Sequence, residues 1–225
     1  MDETTLPLTE LLATDLDDGF TELVRTQAGT VRSVLLRLSG SARDADDLGQ
    51  ETFLRAYSAL REYPPERRGQ LQPRAWLLTI AANVWRNHVR TLSRRPGVAD
   101  GIEVTAIEIP DGSPGPEQRA LDGARRARLV AALSGLPDHH RLPVVLRHIG
   151  ELSYQEVAAI LDCPVGTVKA QVSRGLATLR AEPGLAADRR TYGAAGAAGA
   201  AGAAGGTTAK TAHEPARTER KEATG

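Results

Sequence analysis

The chain has 225 residues, 41% hydrophobic, 25% charged and only 4% aromatic, a composition that fits one globular domain or two small ones with a core of Leu, Val, Ile and Ala. Its single cysteine, Cys163, excludes an internal disulfide and a CxxC zinc site, in keeping with a reducing cytoplasm. The sequence opens with no basic leader and apolar run, and nowhere approaches the roughly 20 apolar residues of a membrane helix, so a cytoplasmic protein without a membrane partner is expected.

From the N-terminus, Phe20, Leu23, Val24, Val31, Leu35 and Leu38 recur at helical spacing up to the break Ser39-Gly40-Ser41. Asp44 is a candidate N-cap for the next helix, which runs to about Leu60. Tyr63-Pro64-Pro65 through Gln72-Pro73 reads as a loop, and a long helix follows from Pro73 to the stop Arg94-Arg95-Pro96. Gly97 to Pro116 is Gly- and Pro-rich with only acidic charges, which predicts a flexible linker. Helices resume near Glu117 and continue to about Ala181, with turns at Gly135-Leu136-Pro137 and Gly150; Pro143 predicts a kink or a later helix start. Beyond Pro183 a Gly-Ala-Ala repeat predicts a disordered tail. The fold class is therefore all-α: two small helical domains, residues 1–96 and 118–182, joined by a linker over 97–117 and followed by a tail over 183–225.

The charge, 28 basic against 28 acidic residues, cancels only in the sum. Residues 1–60 carry net −6, residues 61–96 net +6, residues 97–117 five acids and no base, and residues 118–181 net +4. Alternating blocks of this kind point to a protein partner and a polyanion together.

The most specific pattern is Leu152-Ser153-Tyr154-Gln155-Glu156 through Cys163-Pro164-Val165-Gly166-Thr167-Val168-Lys169. Ser153 with Glu156 forms a capping box, Asp162 makes a turn, and Pro164 opens a second helix. Val168, Val172, Leu176 and Leu179 then form an apolar stripe, and Thr167, Lys169, Gln171, Ser173 and Arg174 face outward. This is a helix-turn-helix whose second helix suits a DNA major groove.

On the helix beginning at Asp44, Ala45, Leu48, Thr52, Ala56 and Leu60 share one side, while Asp46, Asp47, Gln50, Glu51 and Leu54 share the other. On the helix from Pro73, Leu78, Ala81, Trp85, Val89 and Leu92 form the buried stripe, with Trp76 and Trp85 assigned to the core. Thr79, Asn83, Arg86, Asn87, Arg90 and Arg94 line the far side, a basic row suited to phosphates.

Three stretches together resemble the sigma-70 family, extracytoplasmic-function subfamily. Leu136-Pro137, Val144-Val145-Leu146-Arg147 and the helix-turn-helix are similar to region 4; Asp47-Leu48, Gln50-Glu51 and Phe53 to region 2.2; Pro73-Arg74-Ala75-Trp76-Leu77-Leu78 to the region that opens the −10 element. Asp162 stands where the family usually has Gly, which its tolerance of the left-handed region allows.

The resemblance implies an alternative sigma factor, a non-enzymatic initiation factor. Asp46, Asp47, Gln50, Glu51 and Leu54 would meet the clamp helices of the polymerase beta-prime subunit, with region 4 on the flap of the beta subunit. Arg74, Asn83, Arg86, Asn87, Arg90 and Arg94 would read the −10 element, residues 61–72 would accept a flipped base, and Thr167, Lys169, Gln171, Ser173 and Arg174 would read the −35 element. An anti-sigma factor is a further implied partner.

Two other readings stand beside it. An enzyme finds no support, because Cys163 has no nearby His and His139, His140 and His148 make no metal-ligand spacing, so neither metal nor cofactor is expected. A stand-alone helix-turn-helix regulator would lack a use for the acidic helix at 44–60.

Overall fold

Helical spacing of apolar residues carries through to the whole architecture. The computed structural model describes residues 6–93, 116–182 and 185, with side chains in the second stretch from 123 onward; all of its regular structure is α-helical. The linker expected over 97–117 lies outside the described residues except for its last two positions, which belong to a helix. The tail expected over 183–225 also lies outside them, apart from Leu185.

The first domain contains α1 (Leu8–Thr14), α2 (Leu16–Ser39), α3 (Ala42–Glu62), α4 (Pro65–Gly69) and α5 (Pro73–Ser93). Asp15 separates α1 from α2 and caps α2, its carboxylate accepting from the Asp17 and Asp18 amides at 3.0 Å. The two helices meet closely at Gly19, where a Cβ would stand 2.6 Å from the Leu12 backbone. Gly40 ends α2 in the left-handed conformation, φ 75°.

The cap of α3 is Ser41, whose hydroxyl accepts from the Asp44 amide at 3.2 Å. Asp44 thus sits in the first turn, near the positive end of the helix dipole, instead of serving as the N-cap. The expected loop at 63–73 contains the short helix α4, because Pro65 occupies an initial helical position where its missing N–H costs nothing.

The second domain contains α6 (Pro116–Ser134), α7 (Asp138–His148), α8 (Tyr154–Leu161) and α9 (Val165–Ala181). Pro143 neither delays nor ends α7, which begins at Asp138 and carries the proline, itself buried, in its interior. Burial against the surrounding core offsets the lost backbone hydrogen bond. Gly175 brings α9 onto α7: a Cβ there would lie 2.7 Å from Val144 Cγ2.

The buried core runs through both domains, from Leu12, Leu23 and Leu35 through Leu60, Leu77 and Trp85 to Val145, Leu146, Val157 and Val172. Among the described residues no helix is long and apolar enough to cross a membrane.

Candidate nucleic-acid and polymerase interfaces

The α8–turn–α9 unit is set by local chemistry. Ser153 Oγ accepts from the Glu156 amide at 3.2 Å while the Glu156 carboxylate accepts from the Ser153 amide at 2.7 Å, satisfying two amides that the helix itself leaves free. These bonds hold the Glu156 carboxyl below its ordinary pKa, the Ser153 side chain contributing most. Asp162 closes α8 in the left-handed region, φ 50° and ψ 52°. Pro164 stands at the N-cap of α9, one position before the helix begins at Val165.

Burial then divides α9. Val168, Val172, Gly175 and Leu179 are buried and Leu176 is half-buried, while Thr167, Lys169, Ser173 and Arg174 are exposed and Gln171 is half-buried. Lys169 Nζ lies 5.8 Å from the Tyr154 ring centroid, so its stem runs back along α8. The outer side of α9 is thus a row of polar and basic side chains that begins at an open helix N-terminus, with geometry suited to phosphates and base edges.

Helix α5 buries Leu77, Leu78, Ala81, Ala82, Val84 and Trp85. Trp85 is core, as its apolar neighbours predict; Trp76 is only half-buried and meets Tyr63 edge-on, ring centroids 6.2 Å apart. Leu92, expected in the buried stripe, is 49% exposed, since nothing among the described residues covers the last turn of the helix. Asn83, Asn87 and Arg90 are exposed, and Arg94 lies outside the described residues. Two of the residues assigned to the −10 element have partners within the chain. Arg74 pairs with Glu151, and Arg86 Nη2 donates to the Ile160 carbonyl at 2.7 Å. Burial pulls the Arg86 pKa down, with Arg90 adding to the effect. Neither partnership is visible in the spacing of the sequence.

Before α5, Arg67 stacks on the Tyr63 ring with its guanidinium carbon 3.8 Å from the centroid. Together with Trp76 this makes an aromatic and cationic cluster at the side of the segment resembling the family's base-accepting loop.

On α3, Ala45, Leu48, Thr52, Ala56 and Leu60 are buried, and the opposite side carries the acidic set. Asp47 and Gln50 are exposed; Asp46 is tied to Arg32 of α2 and Glu51 to Arg55, each at 2.7 Å. Leu54 is 67% exposed, an isolated apolar side chain among carboxylates. An apolar anchor within a polar rim is the make-up of a protein-binding surface.

An all-helical chain that sets an acidic helix, a basic helix and a helix-turn-helix side by side has the parts of a transcription initiation factor. The family model "Sigma-70 region 2" matches residues 23–95 and the model "Sigma-70, region 4" matches residues 126–179. The ECF RNA polymerase sigma factor SigE of Mycolicibacterium smegmatis is 38% identical over 164 residues, covering 71% of this chain and 59% of the relative. The ECF RNA polymerase sigma-E factors of Salmonella typhimurium and Escherichia coli are each 35% identical over 161 residues, covering 69% of this chain and 82% of the relative.

Two solved structures share the fold, each at 24% identity. CnrH in complex with the cytosolic domain of CnrY has a TM-score of 0.54 over 77% of this chain and 93% of that one. The sigma factor RpoE of Bartonella quintana in complex with the anti-sigma factor NepR has 0.52 over 72% and 94%. This chain belongs to the ECF RNA polymerase sigma factors of the sigma-70 family, the alternative sigma factors.

Proposed function

We propose that this chain binds core RNA polymerase through the outer face of α3 and directs it to promoters whose −10 element is read by α5 and whose −35 element is read by α9. It acts by binding, with no chemical step of its own. The observation that carries this reading is the segregation on three helices: each buries one stripe and turns outward a set matched to a different partner. Asp46, Asp47, Gln50, Glu51 and Leu54 suit the clamp helices of the beta-prime subunit. Asn83, Asn87 and Arg90, with Arg74, Arg86 and Arg94, suit the −10 strand, and Thr167, Lys169, Gln171, Ser173 and Arg174 suit the −35 duplex. The second domain also takes the flap of the beta subunit.

An anti-sigma factor belongs to the same reading, since CnrH was solved with the cytosolic domain of CnrY and the Bartonella RpoE with the anti-sigma factor NepR. The experiment is run-off transcription with purified core polymerase, with and without this chain. Promoter-dependent transcripts that require the chain are expected. A chain that binds duplex alone and adds nothing to the polymerase would be a stand-alone regulator.

A further inference from the structure

Helix α4 is too short to hold itself. Its five residues are far fewer than the roughly 12–15 that a helix needs to form alone in water, and none of the five is buried. Its main neighbour is α1. Gly69, the last residue of α4, faces Ala13 near the end of α1, and a Cβ on Gly69 would stand 3.6 Å from the Ala13 Cβ, an ordinary van der Waals contact. α1 is fixed in its turn by α2 and the core. Leu12 is fully buried, and Gly19 of α2 approaches so closely that a Cβ there would be 2.6 Å from the Leu12 backbone nitrogen and Cα. The core of the first domain thus reaches α4 through α1.

What α4 carries is Arg67, whose guanidinium carbon is 3.8 Å from the Tyr63 ring centroid, while Tyr63 meets Trp76 of α5. A base drawn out of its strand finds there a guanidinium and two rings, the planar groups on which unstacked bases stack. The three come from different segments: Tyr63 precedes α4, Arg67 lies within it, and Trp76 belongs to α5. The cluster is therefore complete only while α4 keeps its place. α1 lies before residue 23, where the match to region 2 begins, so that match does not account for it.

We propose that α1 is the seat of the base-accepting segment, with Leu12 and Ala13 as positioning residues that act on an extruded −10 base through α4. The proposal rests on the reading of residues 61–72 as the acceptor of that base. A cluster assembled in advance spares the bound complex the ordering of α4, so the seat raises the affinity for the captured base without touching it.

The test uses holoenzyme assembled from core polymerase and the full chain, with binding of a fluorescent single-stranded −10 oligonucleotide followed by anisotropy. An abasic site is placed at each position of the element in turn. In wild type, removal of the captured base should weaken binding about tenfold, the loss of one stacked base. Gly69→Leu, from the side of α4, and Ala13→Leu, from the side of α1, each overfill the contact. Gly69 is exposed, so its replacement leaves the core intact. Both variants should bind the intact strand about tenfold more weakly, the abasic site at the captured position should cost nothing further, and the other positions should keep their wild-type penalties. Gly69→Ala, whose methyl fits the gap, should behave as wild type.

Two patterns would overturn the proposal and leave the base-accepting reading in place. One is sensitivity to the captured base that Tyr63→Ala and Arg67→Ala erase but Gly69→Leu and Ala13→Leu preserve. The other is a loss spread evenly over all positions in the two leucine variants, which marks general loosening of the domain. A wild type with no sensitive position, or one whose sensitivity survives Tyr63→Ala and Arg67→Ala, removes the base-accepting reading as well.

Discussion

Gly175→Ala sets two effects of opposite sign against each other at the junction of α7 and α9. Alanine in place of glycine inside a helix is favourable by about 1 kcal/mol. The new methyl, however, would stand 2.7 Å from Val144 Cγ2, with the His140 carbonyl at 3.4 Å and its Cβ at 3.5 Å. Carbon pairs prefer about 3.5–4.0 Å, and Val144 is buried and β-branched, with no flexible end to swing aside. Overpacking of this kind costs about 1–3 kcal/mol. The net expectation is a destabilisation of about 1 kcal/mol by urea denaturation, the packing cost less the helix-propensity gain.

A double-mutant cycle isolates the contact. Val144→Ala alone loses about 1.6 kcal/mol for the two groups removed, but it also vacates the space that the added methyl on α9 needs. The double variant should therefore be more stable than the sum of the singles predicts by about 2 kcal/mol, the packing cost that V144A relieves. A G175A protein as stable as wild type, with no coupling to V144A, would refute the claim that α9 is held against α7 by this close approach.

The double substitution D47K/E51K should weaken assembly with core polymerase, measured by titration, with thermal stability nearly unchanged because both side chains are on the outer face of α3. K169A/Q171A/R174A should make transcription indifferent to a scrambled −35 sequence, each lost base-edge contact removing about 1–3 kcal/mol of discrimination, while holoenzyme assembly persists. Ser153→Ala should cost about 1 kcal/mol of stability through loss of the cap. The capping box also makes stability depend on pH. Because Glu156 is held below its ordinary pKa, its contribution is fully present above the unfolded value and is lost as pH falls through the lowered folded one; acid titration of wild type against S153A should show the difference narrowing as pH falls, with the part due to the Ser153 hydroxyl and the Glu156 amide remaining.

Features decided by local chemistry were legible in the sequence: the Ser153–Glu156 box, the left-handed turn at Asp162, and the buried stripes of α3 and α9 each depend on residues within a turn or two of one another. Sequence and structure part where the outcome depends on what lies opposite. Asp44 and Ser41 are both competent caps, and the backbone bend after Gly40 selects Ser41. Leu92 continues the apolar stripe of α5, but none of the described residues reaches far enough along the helix to cover it. Arg74 and Arg86 read as −10-reading residues, since periodicity cannot reveal that the turn before α8 and the end of α8 approach them from a distant part of the chain.

Trp85 is 5% exposed on α5, with the Arg141 guanidinium of α7 above its ring. It therefore doubles as a built-in optical reporter: displacement of α7 would admit water to the indole and move its emission to longer wavelength. Trp76, the only other tryptophan, meets Tyr63 at the far side of α5's first turns and provides a background signal from the first domain. With W76F to silence that background, the emission of unlabelled protein would report on the packing of α7 against α5 as the chain is titrated with urea.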